Sequence, residues 1–122
     1  MTKRILVVED NDLNRKLFCD VLKANDYEVV PVSDGSNVLA TARKSKPALV
    51  IMDIQLPNIS GVDLIAQLKS DQATESVPVL AVTAYAGKGD EERIRDAGAQ
   101  GYLSKPVSMG PFIAEVRKLL SD

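Results

Sequence analysis

The sequence predicts an α/β domain of (βα)5 type: five parallel strands in one doubly wound sheet with helices on both faces. Two observations carry that prediction. Short apolar runs recur at intervals of about 20–30 residues, and each gap holds one amphipathic stretch. Several runs are also continuously apolar and rich in β-branched residues, as strands covered on both faces must be. At 122 residues the chain fits one domain and can bury roughly two-thirds of its unfolded surface.

The elements follow in order. Ile5-Leu6-Val7-Val8 gives a strand over 4–8. Leu13, Leu17 and Val21, with Phe18 and Leu22, trace an i, i+4 stripe, so a helix is expected over 12–25 with Asp12 as its cap. Glu28-Val29-Val30-Pro31-Val32 gives a strand over 28–32, and Val38, Leu39 and Ala42 a helix over 35–45. Ala48-Leu49-Val50-Ile51-Met52 gives a strand over 48–52, and Leu64, Ile65 and Leu68 a helix over 61–70. Val77-Pro78-Val79-Leu80-Ala81-Val82 places a strand at 78–83. Ile94 and Ala97 mark a sparser helix over 88–97, stopped by Gly98. Gly101-Tyr102-Leu103 gives a strand over 101–104. Phe112, Ile113, Val116, Leu119 and Leu120 form the last helix, begun at Ser108 with Pro111 inside its tolerant first turn.

Composition narrows the function. The chain is 45% hydrophobic and 26% charged, the mix of a soluble globular domain and not of a disordered one. A net charge of −2 argues against a nucleic-acid partner, which wants a basic face. No apolar run approaches the ~18–20 residues of a membrane span, and Met1-Thr2-Lys3-Arg4 leads into an apolar run too short for a signal peptide. The single Cys19 allows no intrachain disulfide, which fits a reducing cytoplasm, and packs as a core neighbour. Residues 1–122 are expected to be one domain, with neither linker nor room for an output domain after Leu120. The chain has no histidine, which removes Ser-His-Asp and Cys-His catalysis and His-ligated zinc. Any bound ion is then a hard one held by oxygens, such as Mg²⁺ or Ca²⁺.

In doubly wound sheets ligands bind at the carboxyl ends of the strands, near the reversal of strand order. Glu9, Asp10 and Asp12 follow the first strand, Asp53 the third, Thr83 and Ala84 the fourth, and Ser104, Lys105 and Pro106 the fifth. The second strand is followed only by Ser33, Asp34 and Gly35. If the strand order is 2-1-3-4-5, strands one and three are neighbours, and Glu9, Asp10 and Asp53 then share one pocket, approached by Thr83 and Lys105. Crowded carboxylates raise one another's pKa and destabilise the domain unless a cation compensates. The Lys105 ammonium and Mg²⁺ are the two compensators on offer. Such a set permits phosphoryl transfer. The metal and Lys105 draw charge from phosphoryl oxygens, the Thr83 hydroxyl donates to another, and a carboxylate in line with phosphorus attacks. Asp53 is the candidate nucleophile, because the consecutive Glu9 and Asp10 suit the metal. A histidine-free chain cannot carry phosphohistidine, so any such donor lies on another molecule.

At these residues the sequence resembles the receiver domains of bacterial two-component response regulators, which have a flavodoxin-like fold. The matching pieces are Ile5-Leu6-Val7-Val8-Glu9-Asp10-Asn11, Met52-Asp53-Ile54-Gln55-Leu56-Pro57-Asn58-Ile59-Ser60-Gly61, Val82-Thr83-Ala84 and Leu103-Ser104-Lys105-Pro106. Asp10-Asn11-Asp12-Leu13-Asn14, Asp53-Ile54-Gln55-Leu56-Pro57 and the run Lys88 to Arg95 are similar to the single-domain DivK-type regulators of cell division. The resemblance implies Asp53 as phosphoacceptor. It implies Mg²⁺, or Mn²⁺, on Glu9, Asp10, Asp53 and the backbone carbonyl of Gln55. It implies Thr83 and Tyr102 as switch residues, Lys105 as the phosphate-pairing lysine, and a cis Lys105–Pro106 bond. It also implies a histidine kinase or histidine phosphotransfer protein as donor, and downstream regulatory kinases that meet the helix 4–strand 5–helix 5 face and helix 1. Such a protein is no enzyme beyond intrinsic autophosphorylation and autodephosphorylation.

Some residues carry two readings. Gln55 and Tyr85, each two positions past a site residue, either control water access to the phosphoryl group or fill surface. The run Lys88 to Arg95 is either a solvated face or a partner surface. Asp12 reads as a helix cap, Met109 and Phe112 as packing. Gly87 and Gly89 each cost the start of the fourth helix about 1 kcal/mol relative to Ala, which builds a pliable segment over 84–90 after Thr83. A two-state switch follows: phosphoryl on Asp53 draws Thr83 inward, Tyr102 turns into the space, and the segment re-packs.

Three rivals share the fold class. A flavodoxin-like mononucleotide binder needs a Gly-, Ser- or Thr-rich phosphate loop, whereas the first turn reads Glu9-Asp10-Asn11-Asp12. A metal-dependent phosphatase with an aspartyl intermediate needs an added acid–base carboxylate and a cap. The third is a receiver cut from a longer regulator, such as a diguanylate cyclase or a hybrid kinase.

Overall fold

The structure is a computed structural model and describes residues 2–57, 59–84 and 89–121. The elements run β1 (Arg4–Val8), α1 (Asp12–Ala24), β2 (Glu28–Val32), a 3₁₀ turn (Gly35–Asn37), α2 (Val38–Ser45), β3 (Leu49–Asp53), α3 (Gly61–Lys69), β4 (Val79–Thr83), α4 (Asp90–Ala97), β5 (Gly101–Ser104) and α5 (Met109–Leu120). The sheet order is β2-β1-β3-β4-β5, the order that brings the first and third strands together. Every neighbouring pair is parallel.

The period-2 pleat divides each strand between two cores. Leu6, Val8, Val50, Met52, Val79 and Ala81 point to one face, where α2, α3 and α4 supply Val38, Ala42, Leu64, Ile65, Leu68 and Ile94. Ile5, Val7, Leu49, Ile51, Leu80 and Val82 point to the other, against Phe18 and Leu22 of α1 and Phe112, Val116 and Leu120 of α5. There Phe18 and Phe112 stack with ring centroids 4.9 Å apart. Cys19 and Met109 join this second core as packing residues.

Several local readings are corrected. Asn11, not Asp12, caps α1: its backbone is extended and its side chain accepts from Asn14 N–H, while Asp12 is already helical and pairs with Arg15. Leu13 and Leu17, read as part of the buried stripe, are 75% and 44% exposed. The face of α1 that meets the sheet is centred on Phe18, Cys19 and Leu22, so the row through Leu13 and Leu17 is turned toward solvent. The second helix begins at Val38 after a 3₁₀ turn. Strand three extends one residue past its predicted end, to Asp53. Gly89, in a left-handed conformation (φ 92°), precedes α4, whereas Tyr85, Gly87 and Lys88 lie outside the described residues.

Candidate functional site

The carboxyl ends of β1 and β3 lie side by side at the reversal, with Val8 opposite Met52. Glu9 follows β1, and its N–H is held by the Val32 carbonyl at 3.0 Å, which fixes the chain as it leaves the sheet. Asp53 is the last residue of β3, and the next N–H, that of Ile54, donates to the Val82 carbonyl at 3.0 Å. Behind it α3 closes tightly: Gly61 N–H donates to the Ile54 carbonyl at 3.1 Å. A Cβ at Gly61 would lie 2.6 Å from both the Asp53 carbonyl oxygen and Ile54 Cα, so only glycine permits this approach. Thr83 ends β4, and Lys105 follows β5 with its N–H on the Thr83 carbonyl at 2.7 Å. The Lys105–Pro106 peptide is cis.

These elements bring Glu9, Asp10, Asp53, Thr83 and Lys105 to one edge of the sheet. One carboxylate oxygen from each of Glu9, Asp10 and Asp53 lies within 4.8 Å of the others. Glu9 and Asp53 are almost wholly buried, at 1% and 2% exposure, while Asp10 faces solvent. Lys105 Nζ stands 3.0 Å from Glu9 Oε1 and 3.4 Å from Asp53 Oδ2. Asp53 Oδ1 accepts from Gln55 N–H at 3.0 Å, and Glu9 Oε2 from Asn11 N–H at 3.2 Å.

Burial is the main force on the Asp53 carboxyl. Together with a hydrogen bond to the Glu9 carboxyl and that group's negative charge, it pushes the pKa up to about 7. Lys105 and the Gln55 N–H pull it back only in part. Burial works to lower the Lys105 pKa, but its hydrogen bonds to Glu9 and Asp53 and their charges outweigh this and hold it above the ordinary lysine value.

This donor set fits a divalent cation. All the clustered ligand atoms are carboxylate oxygens, the chemistry Mg²⁺ prefers. The buried Glu9 Oε1 has the Lys105 ammonium 3.0 Å away, and the three clustered carboxylates still exceed that one positive charge.

Two parts of the site escape the sequence reading. Arg15 reaches back from α1, donating Nη1 to the carbonyls of Glu9 at 2.9 Å and Asp10 at 3.5 Å and Nη2 to Asp12 Oδ1 at 2.5 Å, and so braces the acidic loop. The i, i+3 spacing of Asp12 and Arg15 was visible, but not the reach to the carbonyls. The Gln55 side chain crosses to the next loop, with Nε2 on Thr83 Oγ1 and Oε1 on Ala84 N–H. Tyr102 sits half-buried beside the core that contains Ile94 and Ala81, and burial, then Glu91 and Asp90, raise its hydroxyl pKa.

Residues 5–117 match the model of the response regulator receiver domain. The chain belongs to the response regulator receiver family. It is 48% identical over 122 residues to the polar-differentiation response regulator DivK of Brucella ovis, a match that covers all of this chain and 99% of the relative. The DivK of Brucella anthropi is 47% identical over the same span and coverage. Among solved structures, the receiver domain of the Pseudomonas aeruginosa sensor histidine kinase PA1611 is 28% identical with a TM-score of 0.91, both chains covered in full. That receiver was solved with a magnesium ion coordinated in its active-site cleft. The Vibrio cholerae chemotaxis protein CheY4 shares the fold at 23% identity, with a TM-score of 0.92 and 98% and 99% of the two chains covered. The chain is thus a DivK-like receiver of two-component signalling, a switch module and not a classical enzyme. No helix among its described residues is long and apolar enough to cross a membrane.

Proposed function

We propose that residues 1–122 act as one phosphoacceptor switch of a phosphorelay, in which Asp53 takes a phosphoryl group from a phosphohistidine on a histidine kinase or histidine phosphotransfer protein. The observation that carries this reading is a buried Asp53 carboxylate at the sheet edge with Glu9, Asp10 and Lys105 around it. In the transfer, an Asp53 carboxylate oxygen forms a bond to phosphorus as the phosphorus–nitrogen bond of the donor breaks. The bond's electron pair leaves with the donor imidazole. Once the proton that its raised pKa retains is lost, the nucleophile is a carboxylate and the chain needs no general base.

Mg²⁺, with Mn²⁺ as a substitute, would be held by Glu9, Asp10, Asp53 and the Gln55 backbone carbonyl, and would supply charge neutralisation for the phosphoryl oxygens. The Lys105 ammonium, already beside Asp53 Oδ2, pairs with one phosphoryl oxygen. The Thr83 hydroxyl donates to another. Beyond this the chain's own chemistry is autophosphorylation from small donors and autodephosphorylation.

Output is a change in affinity for protein partners in the cytoplasm. Thr83 moves toward the phosphoryl group, Tyr102 turns inward, and the α4–β5–α5 face re-packs. Likeness to DivK supports regulatory kinases of cell division as the partners, meeting that face and α1. The test is phosphotransfer from a phosphorylated histidine kinase in Mg²⁺. Wild type is expected to gain one acid-labile phosphoryl group, and folded Asp53→Asn none. Full labelling of Asp53→Asn would remove Asp53 from the role.

A further inference from the structure

The turn after β2 lends no polar group to the site, yet it lies against the loop that follows Asp53. Gly35 opens that turn and is buried. A Cβ at Gly35 would overlap Ile59 Cγ2 and stand 3.2 Å from Leu64 Cδ1 and 3.5 Å from Leu56 Cδ1. Its backbone is not left-handed: among the described glycines only Gly89 and Gly98 have positive φ. Space, not conformational freedom, is what position 35 uses. Leu56 and Ile59 belong to the loop between β3 and α3, and both are partly buried against the core. The Gln55 carbonyl and the Leu56 Cα share one planar peptide unit, so the seat of Leu56 sets the direction of that carbonyl.

The turn is the firmer of the two partners. The Val32 carbonyl before it holds Glu9 N–H, the Asp34 side chain accepts from Ser36 N–H and Oγ, both at 2.9 Å, and Val38 behind it is fully buried. Ile59 is β-branched, so its Cγ2 does not swing aside at low energy cost. An added methyl at position 35 therefore displaces the loop, not the turn.

We propose that Gly35 is a positioning residue for the metal site: the gap left by its missing side chain seats Leu56 and Ile59, and so fixes the Gln55 backbone carbonyl as a ligand. The proposal rests on the reading of Glu9, Asp10, Asp53 and Gln55 as the Mg²⁺ site. The end of β2, which contributes no ligand, then holds both sides of that site: Glu9 through Val32, and Gln55 through Gly35.

The experiment compares Gly35→Ala, which overfills the seat, Ile59→Ala, which empties it, and the double variant Gly35→Ala/Ile59→Leu, which refits it. Leucine keeps the apolar volume but has no methyl on its Cβ. Mg²⁺ affinity is titrated calorimetrically at a temperature where each variant is folded, stability is read by urea unfolding, and the Leu56 amide by ¹H–¹⁵N NMR without metal. Affinity is expected to fall about tenfold in each single variant, with the Leu56 resonance displaced. The double variant should recover most of the affinity and return Leu56 toward its wild-type position. Single variants that lose stability but bind Mg²⁺ like wild type would show that the seat only packs the core, and would overturn the proposal. So would a double variant that binds no tighter than the single ones. If Gly35→Ala does not fold, Ile59→Ala and the double variant decide by the same comparison. Asp10→Asn with wild-type affinity would instead overturn the metal site itself, a separate result.

Discussion

Lys105 Nζ lies 3.4 Å from Asp53 Oδ2 and is held closer still to Glu9, so one ammonium serves two buried carboxylates. With Asp10 beside them, the fully ionised site carries two negative charges in excess. A divalent cation balances that excess, and without one the site is strained electrostatically.

Removing a carboxylate should therefore stabilise the metal-free protein. The Asp53 pKa is raised from 3.8 to about 7, so between those values the folded state holds a proton that the unfolded chain has released. Stability is greatest below the window, falls as pH rises through it, and is lowest above it. Asp53→Asn is expected to flatten this fall and to stabilise the chelator-treated protein at pH 8 by about 1–2 kcal/mol. Asp10→Asn, at the exposed carboxylate, should act in the same direction but less. Urea unfolding at pH 5 and pH 8 reads both, and lower stability of Asp53→Asn at pH 8 would contradict the repulsion.

Metal should act in the opposite sense. Mg²⁺ that binds only the folded site raises the melting temperature with concentration, by mass action. The cation competes with the proton on Asp53, so affinity should weaken several-fold from pH 8 to pH 6. Calorimetric titration at the two pH values measures this. A pH-independent affinity would place the ion elsewhere.

Lys105→Met keeps the stem of the side chain and removes its charge. Two buried carboxylates then lose their cation, and the metal-free protein is expected to lose about 1–3 kcal/mol near pH 8, with part of the loss returned by Mg²⁺. Denaturant midpoints with and without Mg²⁺ decide it, and a neutral substitution would mean that the ammonium does not stabilise the pair.

Gly61→Ala tests the backbone behind the site. Its Cβ would stand 2.6 Å from the Asp53 carbonyl oxygen, so α3 or the end of β3 must shift. A cost of about 1–3 kcal/mol is expected, together with weaker Mg²⁺ binding because Asp53 moves with its backbone. Unchanged stability and affinity would show that the close approach is dispensable.

The strands and their two covered faces were legible because the central strands are nearly continuous apolar runs, which the pleat divides, as with Leu6 and Ile5 on opposite faces. The meeting of Glu9, Asp53, Thr83 and Lys105 was legible for a related reason: each ends or follows a strand, and topology carries strand ends to one edge. What stayed hidden depends on rotation and reach. A stripe through Leu13 and Leu17 is as regular in sequence as one through Phe18 and Leu22, and only packing against α5 decides which is buried. Asn11 and Asp12 are equally good caps, and the choice falls on the residue whose backbone is extended. The span from Gln55 to Thr83 and Ala84 needs the distance between two loops, which no spacing along the chain encodes.

The decisive measurement is chemical localisation of the phosphoryl group. Borohydride reduction converts an aspartyl phosphate to homoserine, which peptide mass spectrometry reads at its position in the chain. After phosphotransfer in Mg²⁺, homoserine is expected at residue 53 and nowhere else, with none formed in chelator. Homoserine at residue 10, or a phosphoryl group on a hydroxyl side chain while residue 53 stays aspartate, would contradict the proposed site.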